Sequence, residues 1–210
     1  MKTYMRAFMS DTHISRRTVL AGGAALFLLA VLPRQVFALT EGQARSLIDQ
    51  AVAEINAVIN SGRSEGAMYG EFEKIFRRYA DVPTIARTAL GPPARSASAG
   101  QMQAFTGAFA GYMARKYGKR FRDFVGTQIQ VTGARTVKSF QEVQAVAKMK
   151  GQAPFAISFM VSDRSGSDKF FDLLIEGISL LKSERAEIGA MLDRRGGNID
   201  ALIQDVQRAG

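Results

Sequence analysis

Two acidic residues, Asp172 and Glu176, stand inside the most apolar stretch of the chain, Phe170 to Leu181. Paired carboxylates are the equipment of general acid and base catalysis. Read as a strand, the stretch puts both on one face about 13 Å apart at roughly 3.3 Å per residue, too far for a shared proton. The other chemistries lack their residues. The chain has no Cys, and its single His, His13, lies in an N-terminal segment read below as removable. Ser-His-Asp triads, thiolate nucleophiles and Cys or His metal sites are thereby excluded from the remainder. No phosphate loop, dinucleotide fingerprint or nucleophile elbow is present. A hydrolase without His would need Asp172 or Glu176 in a water-filled cleft. The simpler reading makes both structural, with Glu176 ahead of Gly177 satisfying backbone donors in a turn.

The elements that would position any site begin after residue 38. Residues 1–38 carry Lys2 and Arg6, then Ser15-Arg16-Arg17-Thr18-Val19-Leu20, then an apolar run from Val19 to Leu32. That run is shorter than the roughly 20 residues a membrane-crossing helix needs, and Gly22 and Gly23 interrupt it, so it reads as an export signal and not as an anchor. The paired arginines resemble a twin-arginine signal, with Val19 in place of the usual Phe and no Lys after Leu20; general secretory export is the alternative route. Val36 and Ala38 suit signal peptidase and place the mature start at Leu39. Removing five basic residues and Asp11 lowers the net charge from +9 to +5. Residues 39–210 form one domain on length, large enough for a proper core. A charge of +5 after export does not suit a nucleic-acid binder.

From Glu41 to Ile59, Ala44, Leu47, Ile48, Ala51, Ile55, Val58 and Ile59 recur at helical spacing. A second helix is expected from about Ala67 to Tyr79, and a short one from Thr84 to Leu90 between Asp81 and Gly91. Ser98 caps a long helix predicted to reach about Phe124. Its Met102, Phe105, Phe109, Met113, Tyr117, Phe121 and Phe124 form one stripe, and Arg115, Lys119 and Arg122 another line. The stripe suits a core or an apolar wall for a lipid, and the basic line a solvated face or a cationic rim. After Gly126 the period becomes two. Ile129, Val131, Gly133 and Arg135 alternate with Gln128, Gln130, Thr132 and Ala134; Val143, Ala145, Ala147 and Met149 follow; then Phe155, Ile157, Phe159 and Val161. Asp163 to Ser167 is a hairpin connection into Lys169–Ile175. The tail holds two helices, with Ser183 and Asn198 as cap candidates and a break at Gly196-Gly197. The fold class is therefore α+β: a mainly antiparallel sheet of about four strands packed against N- and C-terminal helices. Eleven Phe and six Met after residue 38 are ample for a hydrophobic cavity.

Lys169, Asp172, Glu176-Gly177-Ile178-Ser179-Leu180, Arg185 and the Leu90-Gly91 pair ahead of the aromatic helix carry a resemblance. In these residues and in element order the chain resembles the toluene-tolerance family of exported phospholipid-binding proteins, typified by the periplasmic shuttle of the Mla system. It departs from that pattern at Asp168 and Glu184, where the family commonly has aromatic residues, and at Pro92-Pro93-Ala94, where a Trp is frequent. The resemblance implies that the sheet is curved and, with the helices, encloses a hydrophobic cavity, and that the protein is a periplasmic, non-enzymatic carrier that needs no cofactor. Its ligand would be a phospholipid, its partners an inner-membrane ABC transporter with a substrate-binding ring and an outer-membrane lipoprotein complex, and its state a monomer. A hopanoid or another sterol-like lipid is the competing cargo. The pocket candidates are Phe105, Phe109, Met113, Phe121, Val131, Met149, Phe155, Ile157, Phe159, Phe171, Leu173 and Ile175. Arg115, Lys119 and Arg122 are candidates for partner or head-group docking. Intact-mass analysis of protein recovered from the periplasm should give a chain starting at Leu39; retention of residues 1–38 would contradict the signal reading.

Overall fold

The computed structural model describes residues 39–119, 128–149 and 151–210. The first helix, α1 (Glu41–Ile59), starts at a reciprocal cap: Gln43 N donates to Thr40 Oγ1 at 3.2 Å, and Thr40 N to Gln43 Oε1 at 3.0 Å. Its stripe buries Ala44, Ile48, Ala51, Val52 and Ile59. The second, α2 (Glu65–Tyr79), buries Met68, Phe72, Ile75 and Tyr79. The third, α3 (Val82–Leu90), opens where Asp81 accepts from Thr84 N and closes at Gly91, whose φ of 72° lies in the left-handed region glycine tolerates. After a 3-10 turn at Pro92–Arg95, Ser98 and Gln101 form a second reciprocal cap on α4 (Ala99–Gly118). Gly118 is required by packing, because a Cβ there would stand 2.5 Å from Cδ1 of Tyr69 on α2. The stretch expected to carry this helix on to Phe124, with Phe121 and Arg122, lies outside the described residues.

Five strands follow: β1 (Gln128–Val137), β2 (Phe140–Lys148), β3 (Phe155–Ser162), β4 (Lys169–Ile175) and the two-residue β5 (Ile178–Ser179). They pair antiparallel in the order β1-β2-β3-β4-β5. Two bulges break the simple alternation. One falls between Val131 and Gly133, so that Ala134, opposite Val143, takes the inner position that strict alternation gives to Gly133 and Arg135. The other leaves Phe171 without a partner, since Met160 pairs with Asp172 and Val161 with Phe170. Each extra residue reverses the faces beyond it, because side chains alternate with a period of two.

The sheet then turns into the closing helices, α5 (Leu180–Arg194) and α6 (Ile199–Arg208). Ser179, not Ser183, caps α5: its Oγ accepts from Lys182 N at 3.1 Å, while Ser183 Oγ donates back to Ser179 O. The turn at Glu176-Gly177, with φ of 50° and 78°, folds Ser179 onto β4 and so sets the helix start one turn earlier than local sequence indicates. Asn198 caps α6 as expected.

The core divides into three apolar clusters. One joins α3, α4, α5 and α6 around Phe105, Phe109, Ile188 and Leu202; one joins α1 to the sheet around Ile48, Val143, Phe159 and Val161; one joins α1, α2 and α4 around Phe72 and Tyr79. Phe170 packs against all three. Its ring meets Phe159 edge-on at 5.8 Å and Phe76 at 6.3 Å, and its carbonyl accepts from Asp81 N at 2.8 Å. Replacing Phe170 with Ala should therefore lower unfolding stability by about 3 kcal/mol, the usual cost of truncating a large core side chain. Urea denaturation checks this, and a loss within experimental error would show that the clusters are held together elsewhere.

Candidate functional site

The sheet has one apolar and one mixed face. On the apolar face, Val131, Val143, Ala145, Ala147, Ile157, Phe159 and Val161 are buried, with Ile129, Ala134, Phe155 and Leu173 half-buried beside them. Ile175 pairs with Ile157 and so shares this face. The opposite face carries Glu142, which holds Arg135 through Nε at 2.8 Å and Ser158 Oγ at 2.8 Å. Burial alone would raise the Glu142 carboxyl; the hydrogen bonds from Ser158 and Arg135 outweigh it and hold the group below its ordinary range.

The helices cover the apolar face unevenly. The sheet meets them mainly through α1, which lies across β1 and β2, and through α5 and α3 at β4; α4 packs chiefly on α2, α3 and α6. The part of the face toward β3 and β4 keeps Phe155, Leu173 and Ile175 half-buried, and Leu47 of α1, which packs against the same cluster, is likewise half-buried. This is an apolar surface assembled from several elements and only partly closed, the arrangement that accepts a hydrophobic ligand.

Of the residues nominated from sequence, Val131, Phe155, Ile157, Phe159, Leu173 and Ile175 are thus brought together. Met149, half-buried, follows the end of β2. Phe105 and Phe109 sit fully buried in the helical cluster, with Met113 against its edge. Phe171, displaced by its bulge, makes an edge-on ring contact with Phe140 at 5.5 Å, and Phe170 takes the inner position instead. Arg115 closes the C-terminal end of α6, donating to the carbonyls of Val206, Gln207 and Ala209, and Lys119 donates to Gly210 O.

The two suspect carboxylates have structural partners. Asp172 accepts from Ser179 Oγ at 2.6 Å and from the backbone N of Leu173 and Leu181, fixing β4 to the first turn of α5. Glu176 accepts from Ala156 N and locks the turn beside β3. Among the described residues no group of three or more His, Cys, Asp or Glu is placed to hold a metal, and no helix is long and apolar enough to cross a membrane.

Sequence reasoning did not single out the polar junction of α4 and α5. Glu184 is 1% exposed and accepts from Lys116 Nζ at 2.7 Å and from Tyr117 OH. Lys116 also binds Glu187, which accepts from Tyr112 OH at 2.8 Å. Burial pushes the Tyr112 hydroxyl up, and Glu187 beside it adds to the shift. Burial opposes the charge on Lys116 and on Glu187, yet hydrogen bonds win: those to Glu184 and then Glu187 raise the lysine, and those from Lys116 and Tyr112 lower the Glu187 carboxylate. The substitution of Glu184 for an aromatic residue was the available signal. Lys116→Met should cost about 3 kcal/mol in urea denaturation, because it strands the buried Glu184 charge; a neutral result would mean that Glu184 is balanced by another group.

The sequence matches the family model described as MlaC protein over residues 47–208. Among solved structures, a phospholipid-binding protein from Ralstonia solanacearum in complex with a phospholipid has a TM-score of 0.67 to this chain at 19% identity. The match covers 79% of this chain and 95% of that one. At that identity the likeness is one of fold.

Proposed function

Since the chain belongs to the MlaC protein family, we propose that it is an exported carrier that shelters the acyl chains of a phospholipid on the inner face of its sheet. It ferries them between an outer-membrane lipoprotein complex and an inner-membrane ABC transporter. The observation that carries this reading is the half-buried apolar surface of Phe155, Leu173 and Ile175, continuous with a closed core and made of elements far apart in sequence. A structural relative of the same fold was solved with phospholipid bound. Cleavage after Ala38 would deliver the domain to the periplasm as residues 39–210.

The physics sets a constraint on transfer. Each methylene removed from water is worth about 0.8 kcal/mol, so two long acyl chains would leave such a surface for bulk water far too slowly. Unloading then requires a partner that opens the site and offers a second apolar surface in the same encounter. The carboxylates Asp172 and Glu176 are occupied in holding β4, β5 and α5, which leaves no group free for hydrolysis in this stretch.

Native mass spectrometry of the purified exported protein should find one phospholipid, or two, per chain. Leu173→Glu should lower the loaded fraction about tenfold, by placing a charge on the apolar face. Gln130→Glu, exposed on the opposite face of β1, should leave loading unchanged. A hopanoid in the extract would keep the carrier and change its cargo; protein that stays empty when offered phospholipid would end the proposal.

A further inference from the structure

The helical side of the molecule carries a cleft of about 640 Å³ between α2, α3 and α4, lined by Arg77, Thr84, Arg87, Met102, Thr106 and Gly107 among others. No residue of the sheet contributes to it. Two features of it are unexplained by the fold. The first is Gly107, exposed in the interior of the longest helix, where glycine weakens the helix. A Cβ at Gly107 would meet no atom within 4 Å, whereas at Gly111, one turn on, it would stand 3.0 Å from the Arg115 guanidinium. Internal packing therefore accounts for Gly111 and not for Gly107. The second feature is the charge. Arg77 is held by Glu73 at 2.7 Å and reaches Gly107 O at 3.3 Å. Arg87 is exposed on the rim, with no acidic partner among the described residues.

We infer that this cleft is a docking site for an acidic segment of a partner protein, with a carboxylate paired to Arg87 and an apolar side chain or the segment's backbone laid over Gly107 beside Met102. Charge complementarity favours an anionic occupant, since the one carboxylate bound at the cleft, Glu73, neutralises only one of the two guanidiniums. Concavity favours a chain segment over a flat lipid surface. The bare helix backbone at Gly107 permits an approach closer than any side chain would allow. The inference stands apart from the lipid reading, because the cleft shares no lining residue with the apolar face of the sheet.

The test is selection of short random peptides, displayed on phage, against the exported protein. Enriched sequences should carry Asp or Glu around a large apolar residue. Their affinity should fall about tenfold for Arg87→Glu, as expected when one partner of a close charge pair is reversed. Gly107→Gln should weaken binding by filling the floor without charge, and lipid content should stay unchanged in both variants. Enrichment without acidic bias, an affinity in either variant equal to that of the unaltered protein, or no enrichment over the Arg87→Glu control would overturn the proposal. So would a concentration-dependent dimer, or binding to anionic phosphatidylglycerol vesicles, that Arg87→Glu abolishes, because the cleft would then serve a second copy or a membrane.

Discussion

The structure depends on where the first residues of β4 are held. Phe170 puts its ring among three apolar clusters and gives its carbonyl to Asp81 at the start of α3, while Lys169 beside it donates to Arg78 O at the end of α2. Two residues on, Asp172 takes hydrogen bonds from Ser179 and Leu181 and so ties the strand to α5. A strand normally buries its side chains against one layer. Here one short segment belongs to the sheet and to the helical body together, and each layer is positioned by reference to it.

That arrangement leaves the apolar face of the sheet unfinished. With α1 laid over β1 and β2, and α4 engaged chiefly with other helices, the described residues leave Phe155, Leu173 and Ile175 on the β3 and β4 side of the face half-buried. Apolar surface left partly open is destabilising in water unless something covers it. In the proposed carrier, the same incompleteness that weakens the empty domain is the seat of the lipid. The buried junction of Glu184, Lys116, Tyr112, Tyr117 and Glu187 fastens α4 to α5 within the helical body.

Much of this was legible in local sequence. Helix α1 begins and ends where its stripe and caps indicate, because Thr40, Gln43 and the spacing from Ala44 to Ile59 all act within a few residues of one another. The order of strands and the class of fold followed from the change of period after Gly126. What local pattern missed was set at long range. The bulges near Thr132 and at Phe171 reverse the faces beyond them, and they show only in the pairing with β2 and β3. Ser179 replaces Ser183 as the cap because a two-residue strand folds it back onto Asp172. The stripe of α4 announces a buried face without saying what buries it: Phe105 and Phe109 turn out to face the closing helices. Arg115 reads as a surface cation until the C-terminal carbonyls of α6 are brought to it.

The central claim is that the partly covered face of the sheet is where the lipid lies. Loading the protein with a phospholipid bearing a photoreactive group on its acyl chain, irradiating it and locating the adducts by peptide mass spectrometry tests this most directly. Adducts concentrated on Phe155, Leu173, Ile175 and the facing residue Leu47 of α1 are the predicted result. Adducts on Leu174 and Val146 of the outer face, within the helical cluster around Phe105 and Phe109, or spread without preference would contradict it.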